Sequence, residues 1–169
     1  AWADYCTFDN NTIIAEGNVG NMIFLTTLNV DIPSDVVANI HNNITNNRVY
    51  SPNAATAISW AIVLSGSDNL IENNTVEYEG NGITTQFALS SSPHNNVYRN
   101  NVLLNGSSMN VLSDSTLYNN TISGALTVGA DATAYNNTVD GKVTVNSNAH
   151  VYNNTFNSGL ATSGDDAII

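Results

Sequence analysis

Apolar and polar residues follow the same order around seven Asn-Asn pairs along the chain. The second residue of each pair is Asn11, Asn47, Asn74, Asn101, Asn120, Asn137 or Asn154. Three residues before it, the position is always apolar or aromatic: Phe8, Ile44, Ile71, Tyr98, Leu117, Ala134 and Val151. Two residues after it, the position is again apolar: Ile13, Val49, Val76, Leu103, Ile122, Val139 and Phe156. The residue before this last position is polar in six of the seven repeats. Such an alternation predicts a strand with one buried side.

The distance between successive repeats indicates how these strands are connected. Counted from one second Asn to the next, it is 36, 27, 27, 19, 17 and 17 residues. Strands that recur at the length of one coil are typical of a solenoid, in which each repeat packs on its neighbours. We therefore predict an all-β fold in which residues 1–169 form one domain.

The chemistry of the amide explains why asparagine recurs at each predicted coil. In a stacked parallel solenoid, each coil lies about 4.8 Å from the next. Identical amides at that spacing can donate to and accept from one another, which satisfies a polar group inside the fold. We predict that the seven second Asn residues form such an inward ladder. A column five residues earlier loses its amides toward the C-terminus, which predicts a narrowing cross-section: Asn42, Asn69, Asn96, Ser115, Ala132 and Ala149.

Two stretches carry a resemblance to a known repeat: residues 57–76, AISWAIVLSGSDNLIENNTV, and residues 81–102, NGITTQFALSSSPHNNVYRNNV. They align at an offset of 27, which places Ile62 over Leu89 and Trp60 over Phe87. This pattern resembles the right-handed parallel β-helix repeat of the pectate-lyase-like superfamily. The resemblance implies a right-handed parallel β-helix of about seven coils, which shorten from 27 to 17 residues toward the C-terminus. It implies no particular activity, because this fold carries lyases, hydrolases, adhesins and inert surface layers.

Three YNNT runs, led by Tyr118, Tyr135 and Tyr152, also resemble the asparagine-rich secreted surface and sheath proteins of methanogenic archaea. The three Tyr residues share the outward column two residues before each second Asn. An exposed aromatic row of this kind can be a protein contact, a sugar-stacking platform or simple cross-coil stacking. All three interpretations are compatible with the sequence.

The charge of the chain limits its partners. The sequence has 14 acidic and 3 basic residues, a net charge of −11, although only 10% of its residues are charged. A nucleic-acid partner is disfavoured, because phosphate binding needs a basic surface. No apolar run is long enough to span a bilayer, so no membrane span is predicted.

The N-terminus and the glycosylation sequons favour an extracellular, cell-surface protein. The chain begins at Ala1 with no initiator Met, which we interpret as a secreted protein whose signal peptide has been removed. Seven Asn-x-Ser/Thr sequons begin at Asn10, Asn43, Asn73, Asn105, Asn119, Asn136 and Asn153. Several of them belong to the repeat itself, so either glycan attachment or the fold alone accounts for them.

Apolar residues near both ends suit contact with another copy. Cys6 is the only cysteine, so an intrachain disulfide is impossible. It is either a buried thiol or an intermolecular link at the N-terminal edge. The residues that we predict for self-association are Trp2, Cys6, Tyr118, Tyr135, Tyr152, Ile168 and Ile169. A heterologous contact of this kind builds an open polymer.

The acidic residues form one loose group, Glu72, Glu77 and Glu79, with Arg99 one coil away. A lyase of this fold would need carboxylates gathered around Ca²⁺ and a base that abstracts a proton. Glu72 and Arg99 instead share an outward column at an offset of 27, which predicts a surface ion pair. No Cys and His cluster has metal-ligand spacing. We predict no catalytic residue, no metal and no cofactor.

The leading hypothesis is a structural, self-assembling extracellular protein without catalytic activity, such as a subunit of a cell sheath, surface layer or fibre. Its partners would be other copies of itself. The alternative is a carbohydrate-active or carbohydrate-binding β-helix, either lyase-like or hydrolase-like or an adhesin, that binds cell-wall or surface glycans near Glu72, Glu77, Glu79 and Arg99. A concave groove lined by carboxylates would favour the alternative, and flat faces against neighbouring copies would favour the first.

Overall fold

A computed structural model describes residues 5–16, 19–25, 41–52, 58–64, 66–78, 81–85 and 94–162. The regular structure of these residues is three parallel sheets of seven strands each. The first sheet contains β1 (Thr7–Asp9), β4 (Asn43–Thr45), β7 (Leu70–Glu72), β10 (Val97–Arg99), β13 (Thr116–Tyr118), β16 (Thr133–Tyr135) and β19 (His150–Tyr152). The second contains β2 (Thr12–Ile14), β5 (Arg48–Tyr50), β8 (Thr75–Glu77), β11 (Val102–Leu104), β14 (Thr121–Ile122), β17 (Thr138–Val139) and β20 (Thr155–Phe156). The third contains β3 (Val19–Leu25), β6 (Ile58–Leu64), β9 (Asn81–Thr85), β12 (Ser108–Asn110), β15 (Leu126–Val128), β18 (Val143–Val145) and β21 (Leu160–Thr162).

The chain visits the three sheets in turn and advances by one strand in each sheet with every coil. Neighbouring strands in each sheet are therefore three apart in chain order, and every pair is parallel. This arrangement confirms the predicted parallel β-helix solenoid of about seven coils. Hydrogen-bonded ladder residues are 36 residues apart at the first step and 17 at the last, so the coils shorten as predicted. The right-handed sense of the solenoid remains a prediction.

A sharp corner joins each strand of the first sheet to the following strand of the second. The first residue of each of the seven repeated Asn-Asn pairs adopts a left-handed conformation there, with φ between 54° and 57°: Asn10, Asn46, Asn73, Asn100, Asn119, Asn136 and Asn153. Asn tolerates this region better than most residues, because its short polar side chain can hydrogen-bond locally. The second Asn then points into the solenoid. We call this bend the Asn corner. Its first Asn adopts the left-handed backbone conformation, and its second Asn places an amide in the interior.

An entry corner precedes each strand of the first sheet and repeats the same geometry five residues earlier. Its left-handed residues also have φ between 54° and 57°: Tyr5, His41, Asp68, Asn95, Asp114, Asp131 and Asn148. The residue that follows is buried in the coils after the first: Asn42, Asn69, Asn96, Ser115, Ala132 and Ala149. Cys6 takes this place in the first coil and is exposed, because no described coil lies beyond it. Its interpretation as a buried thiol is therefore wrong.

The core consists of columns of apolar side chains that run along the solenoid. In the first sheet the column from Ile44 to Val151 is buried, and in the second sheet so is the column from Val49 to Val139. A third column faces them from the third sheet: Ile23, Ile62, Ile83, Met109, Leu126 and Val143. Each fully buried aliphatic side chain contributes about 1.5–3 kcal/mol relative to exposure. Because each side chain is covered by the coils on both sides of it, cover is lost only at the end coils, as at Phe8.

One predicted register is wrong. Ile62 pairs with Ile83 in the third sheet, and not with Leu89. The Asn corners of these coils keep the predicted spacing, but β9 begins sooner after its Asn corner than β6 does after its own. The extra chain of the later coil therefore follows its third-sheet strand. Leu89 and Phe87 lie outside the described residues. The described residues contain no helix long and apolar enough to cross a membrane.

Candidate functional site

The Asn ladder is hydrogen bonded from Asn11 to Asn154 without a break. At every step, the backbone N–H and Nδ2 of one Asn donate to Oδ1 of the next at 2.8–3.1 Å. In the rungs after the first, Nδ2 also donates to a backbone carbonyl of the preceding coil; for Asn101 this is Ile71 O, at 2.9 Å. In the first rung, Asn11 Nδ2 donates instead to Asp9 O of its own coil, at 2.9 Å. An interior rung thus uses its Oδ1 twice and its Nδ2 twice. Such a rung satisfies its buried amide completely, as the repeat predicts.

Every link of the ladder points the same way along the solenoid. The donor always belongs to the coil nearer the N-terminus, and the accepting Oδ1 belongs to the coil nearer the C-terminus. The two ends therefore differ in chemistry. Among the described residues, none donates to Asn11 Oδ1, and none accepts from the backbone N–H of Asn154.

The outward column of the first sheet has a polar half and an aromatic half. Its members are Asp9, Thr45, Glu72, Arg99, Tyr118, Tyr135 and Tyr152. Arg99 Nη2 donates to Glu72 Oε2 at 2.8 Å, which confirms the predicted ion pair. Arg99 Nη1 also donates to the Tyr118 hydroxyl at 2.9 Å, so this arginine joins the two halves. At the polar end, hydrogen bonds from Thr45 and Asn46 lower the pKa of Asp9.

Tyr118, Tyr135 and Tyr152 stack face to face. Their ring centroids lie 5.0 and 5.2 Å apart, and the planes of neighbouring rings differ by 4° and 2°. Partial desolvation in the stack raises the pKa of Tyr135. Neighbouring rings cover each other's faces within the stack. Beyond the stack, Arg99 is the column neighbour of Tyr118, and the outer face of Tyr152 has no described ring beyond it. A sugar would need an open ring face, so the geometry favours cross-coil stacking or a protein contact over a sugar platform.

A second ion pair lies on the second sheet, where the sequence predicted none. Arg48 Nε and Nη2 donate to the two carboxylate oxygens of Glu77 at 2.8 and 2.9 Å. The guanidinium also lies 4.4 Å from the centroid of the Tyr50 ring. The hydrogen bond from Arg48 lowers the pKa of Glu77. The only trace of this pair in the sequence is the single Arg in a column that is otherwise mostly Thr, because Glu77 lies in a different column.

The predicted acidic group is therefore divided between two sheets. Glu72 and Glu77 each form an ion pair with an arginine of their own. Glu79 lies outside the described residues. Among the described residues, no three His, Cys, Asp or Glu side chains are placed to hold a metal ion. Ser67 Oγ lies 3.1 Å from His94 Nδ1, but Ser67 is buried, so its hydroxyl is not open to a substrate.

All seven sequon asparagines are exposed: Asn10, Asn43, Asn73, Asn105, Asn119, Asn136 and Asn153. In the five that belong to the repeat, the Asn corner points one amide outward and the next one inward. Corner amides of successive coils lie close together, since Asn73 Nδ2 donates to Asn46 Oδ1 at 3.3 Å. Exposure meets the first requirement for attachment of a glycan to these residues.

Exposed large hydrophobic residues concentrate on the first and last described coils. The first coil exposes Tyr5, Phe8 and Ile14, and the last exposes Tyr152 and Leu160. In the coils between, only Leu104 is of this kind among the described residues. Trp2, Ile168 and Ile169, which we also predicted for self-association, lie outside the described residues.

A depression of about 210 Å³ opens on the last coil. Its lining residues are Val151, Tyr152, Asn153, Asn154 and Phe156. The depression thus combines the end of the core, the end of the Asn ladder and the end of the Tyr stack.

Comparison with known proteins assigns no family to this chain. No family model, curated protein or solved structure matches it. The surfaces of the solenoid itself are therefore the basis for inferring what the chain does.

Proposed function

We propose that this chain is a structural, self-assembling extracellular protein without catalytic activity, a subunit of a cell sheath, surface layer or fibre. The observation that carries the proposal is the concentration of exposed apolar side chains on the two end coils. Among the described residues of the coils between them, Leu104 is the one large apolar side chain that is exposed. Contact with another copy would remove this end surface from water, which is the main driving force of association.

The interior is suited to a subunit under mechanical stress. Each sheet runs through all seven described coils, and the Asn ladder adds two hydrogen bonds between ladder residues at every step. The buried amides have no unmet hydrogen bonds in the interior coils, so opening one coil would expose several polar groups at once. This network suits a subunit that has to resist mechanical load and proteolysis.

The exterior supports an extracellular setting. The seven exposed sequon residues would accept glycans there, and the surface is rich in uncharged polar side chains. The Tyr stack offers the edges of three rings to a neighbouring copy, so side-by-side contact would supplement contact through the ends.

Electron microscopy combined with sedimentation at high protein concentration tests the proposal. The parent protein should form extended assemblies, and Leu160→Ser should weaken them by removing an apolar side chain from the end surface. Leu104→Ser is the matched control, because Leu104 is 39% exposed and Leu160 is 42% exposed, but Leu104 lies between the ends. Its assemblies should resemble those of the parent.

Monomers of the parent at every concentration would contradict the proposal. If such monomers bound a cell-wall or surface glycan, the carbohydrate-binding alternative would take its place. Equal loss of assembly in the two Leu variants would show that the end coils do not form the contact between copies.

A further inference from the structure

We propose that copies join end to end by continuing the Asn ladder, so that the first coil of one copy stacks on the last coil of another as its next coil. The inference rests on the proposed function and specifies the contact surface and its register. The occupant of the end surface is a second copy of this chain.

The hydrogen-bonding groups at the two ends are complementary. At each internal step, a backbone N–H and an Nδ2 donate to the Oδ1 of the following coil. Asn154 has a backbone N–H with no acceptor among the described residues, and Asn11 has an Oδ1 with no donor among them. In the joint, the Asn154 N–H donates to Asn11 Oδ1 of the next copy. Within its own copy, Asn11 Nδ2 donates to Asn47 Oδ1 and to Asp9 O. In the joint, the hydrogen that goes to Asp9 O can turn to the carbonyl of Val151, as Asn101 Nδ2 donates to Ile71 O within the chain.

The apolar side chains at the two ends also match. In the register of the internal coils, Val151 would lie against Phe8 of the next copy, and Phe156 would lie against its Ile13. Phe8 is exposed on the first coil, and Val151 and Phe156 line the depression on the last coil. The depression can therefore accept the phenyl ring, which would cover the apolar surface of both ends.

The difference in coil length between the two ends does not prevent this contact. The first and last described coils differ in size, but the segment from the first-sheet strand through the Asn corner to the second-sheet strand has the same length in all seven. Internal neighbours of unequal length, such as those that carry Asn101 and Asn120, already stack through this segment with unbroken ladder bonds. The two ends of neighbouring copies would stack through this same segment.

A disulfide across the predicted joint tests the register. Thr12 and Thr155 are exposed members of one outward column, at opposite ends of the solenoid. Within one copy they are six strand spacings apart, roughly 29 Å, which no disulfide can bridge. Across the joint their Cα atoms would be one spacing apart, about 4.8 Å, which lies inside the range of disulfides. The test uses the full chain with Cys6→Ser, Thr12→Cys and Thr155→Cys under mild oxidation.

The matched control carries Cys6→Ser, Thr12→Cys and Thr121→Cys, because Thr121 is exposed in the same column but lies between the ends. Non-reducing electrophoresis should show a ladder of covalent oligomers for the first variant, which a reductant collapses, and mainly monomer for the control. Equal cross-linking of both variants, or of neither, would overturn the joint. A T155C thiol that resists maleimide labelling in the monomer would also overturn it, because the chain itself would then cover this face.

Microscopy of the same oxidised samples separates the two proposals. Extended assemblies without a specific disulfide would leave the structural function standing and show that copies meet through their sides. Monomers alone would reject both the joint and the proposed function.

Discussion

At the scale of the residue, asparagine has two different tasks at each Asn corner, and the two tasks tolerate different substitutions. The first Asn adopts a left-handed backbone conformation and remains exposed. In the coils between the ends, the second adopts an ordinary conformation and is buried in a ladder that uses every hydrogen-bonding group of its amide. The first position therefore requires a residue that tolerates the left-handed backbone conformation. The second requires a side-chain amide with the length of the Asn side chain.

Replacing Asn137 by Leu tests the ladder position. Asn137 Oδ1 accepts from the backbone N–H and Nδ2 of Asn120, so both donors would be left without an acceptor in a buried place. We expect a loss of about 1–3 kcal/mol in the free energy of unfolding, measured by chemical denaturation. Asn110→Leu is the control, because Asn110 is exposed on β12, and its effect should stay within about 0.5 kcal/mol. Similar losses in both variants would contradict the role of the ladder.

Replacing Asn136 tests the left-handed position. Its φ is 55°, which Gly adopts without strain and a β-branched residue does not. Asn136→Gly should therefore change stability little, whereas Asn136→Val should cost about 1–2 kcal/mol. Thr138→Val controls for the added apolar surface, because Thr138 is an exposed strand residue of the same coil. An Asn136→Val protein as stable as the Thr138→Val protein would show that the corner is not strained.

Tyr78 should make the protein lose stability at high pH. Burial raises the pKa of Tyr78 to about 12 from its ordinary 10.0. The folded state therefore holds the phenolic proton more tightly than the unfolded state. This contribution is complete below about pH 10 and is lost as the pH rises toward about 12. Tyr78→Phe should flatten the decline of the melting temperature across that interval, whereas Tyr5→Phe, at a residue that is 74% exposed, should not. An unchanged decline in Tyr78→Phe would contradict this assignment.

At the scale of the element, the sequence predicts the first two sheets better than the third. The segment from Ile71 to Val76 recurs at every Asn corner with fixed spacing, so its register could be read directly. Third-sheet strands follow the corner after a variable number of residues, and more than one apolar residue after the corner can satisfy the pattern. The alignment at an offset of 27 therefore places Ile62 over Leu89, although Ile62 pairs with Ile83.

The surface pairs show a similar limit. The pairing of Glu72 with Arg99 follows from their shared column, and the stacked tyrosines follow from theirs. The pair of Arg48 and Glu77 runs diagonally between neighbouring strands, so a column alone does not predict it. The left-handed conformation at the entry corner is also hard to predict from the sequence, because Tyr, His, Asp and Asn all occupy that position.

Close contact between the coils near Gly141 leaves no room for a side chain. A Cβ added at Gly141 would lie 2.3 Å from the Gly124 carbonyl oxygen of the preceding coil, so the two backbones would have to separate. Gly141→Ala should lower stability by about 1–3 kcal/mol. Gly159→Ala is the matched control in the last coil, because a Cβ there would have no neighbour within 4 Å. Differential scanning calorimetry of the two variants distinguishes them, and equal melting temperatures would contradict the close approach.

At the scale of the whole molecule, the spacing of the coils should limit glycosylation. Asn119, Asn136 and Asn153 are sequon residues of three successive coils, about 4.8 Å apart. Glycans at all three would crowd one another at their points of attachment, whereas Asn43 and Asn105 lie away from this row. If the native protein carries glycans, intact-mass and glycopeptide measurements should find Asn43 and Asn105 occupied and the three corner residues never all occupied on one molecule. Full occupancy of the row would contradict this steric limit.

The unequal coils also give the molecule a mechanical signature. Every coil adds one strand spacing to the length of the solenoid, whether it contains 36 residues or 17. When a stretching force unfolds one coil at a time, the length of chain that each step releases depends on the number of residues in that coil. At about 3.5 Å per extended residue, a 17-residue coil yields roughly 60 Å and a 36-residue coil roughly 125 Å. A force–extension trace would thus record short steps for the C-terminal coils and steps twice as long for the first coil. The order of the steps would show from which end the solenoid unravels.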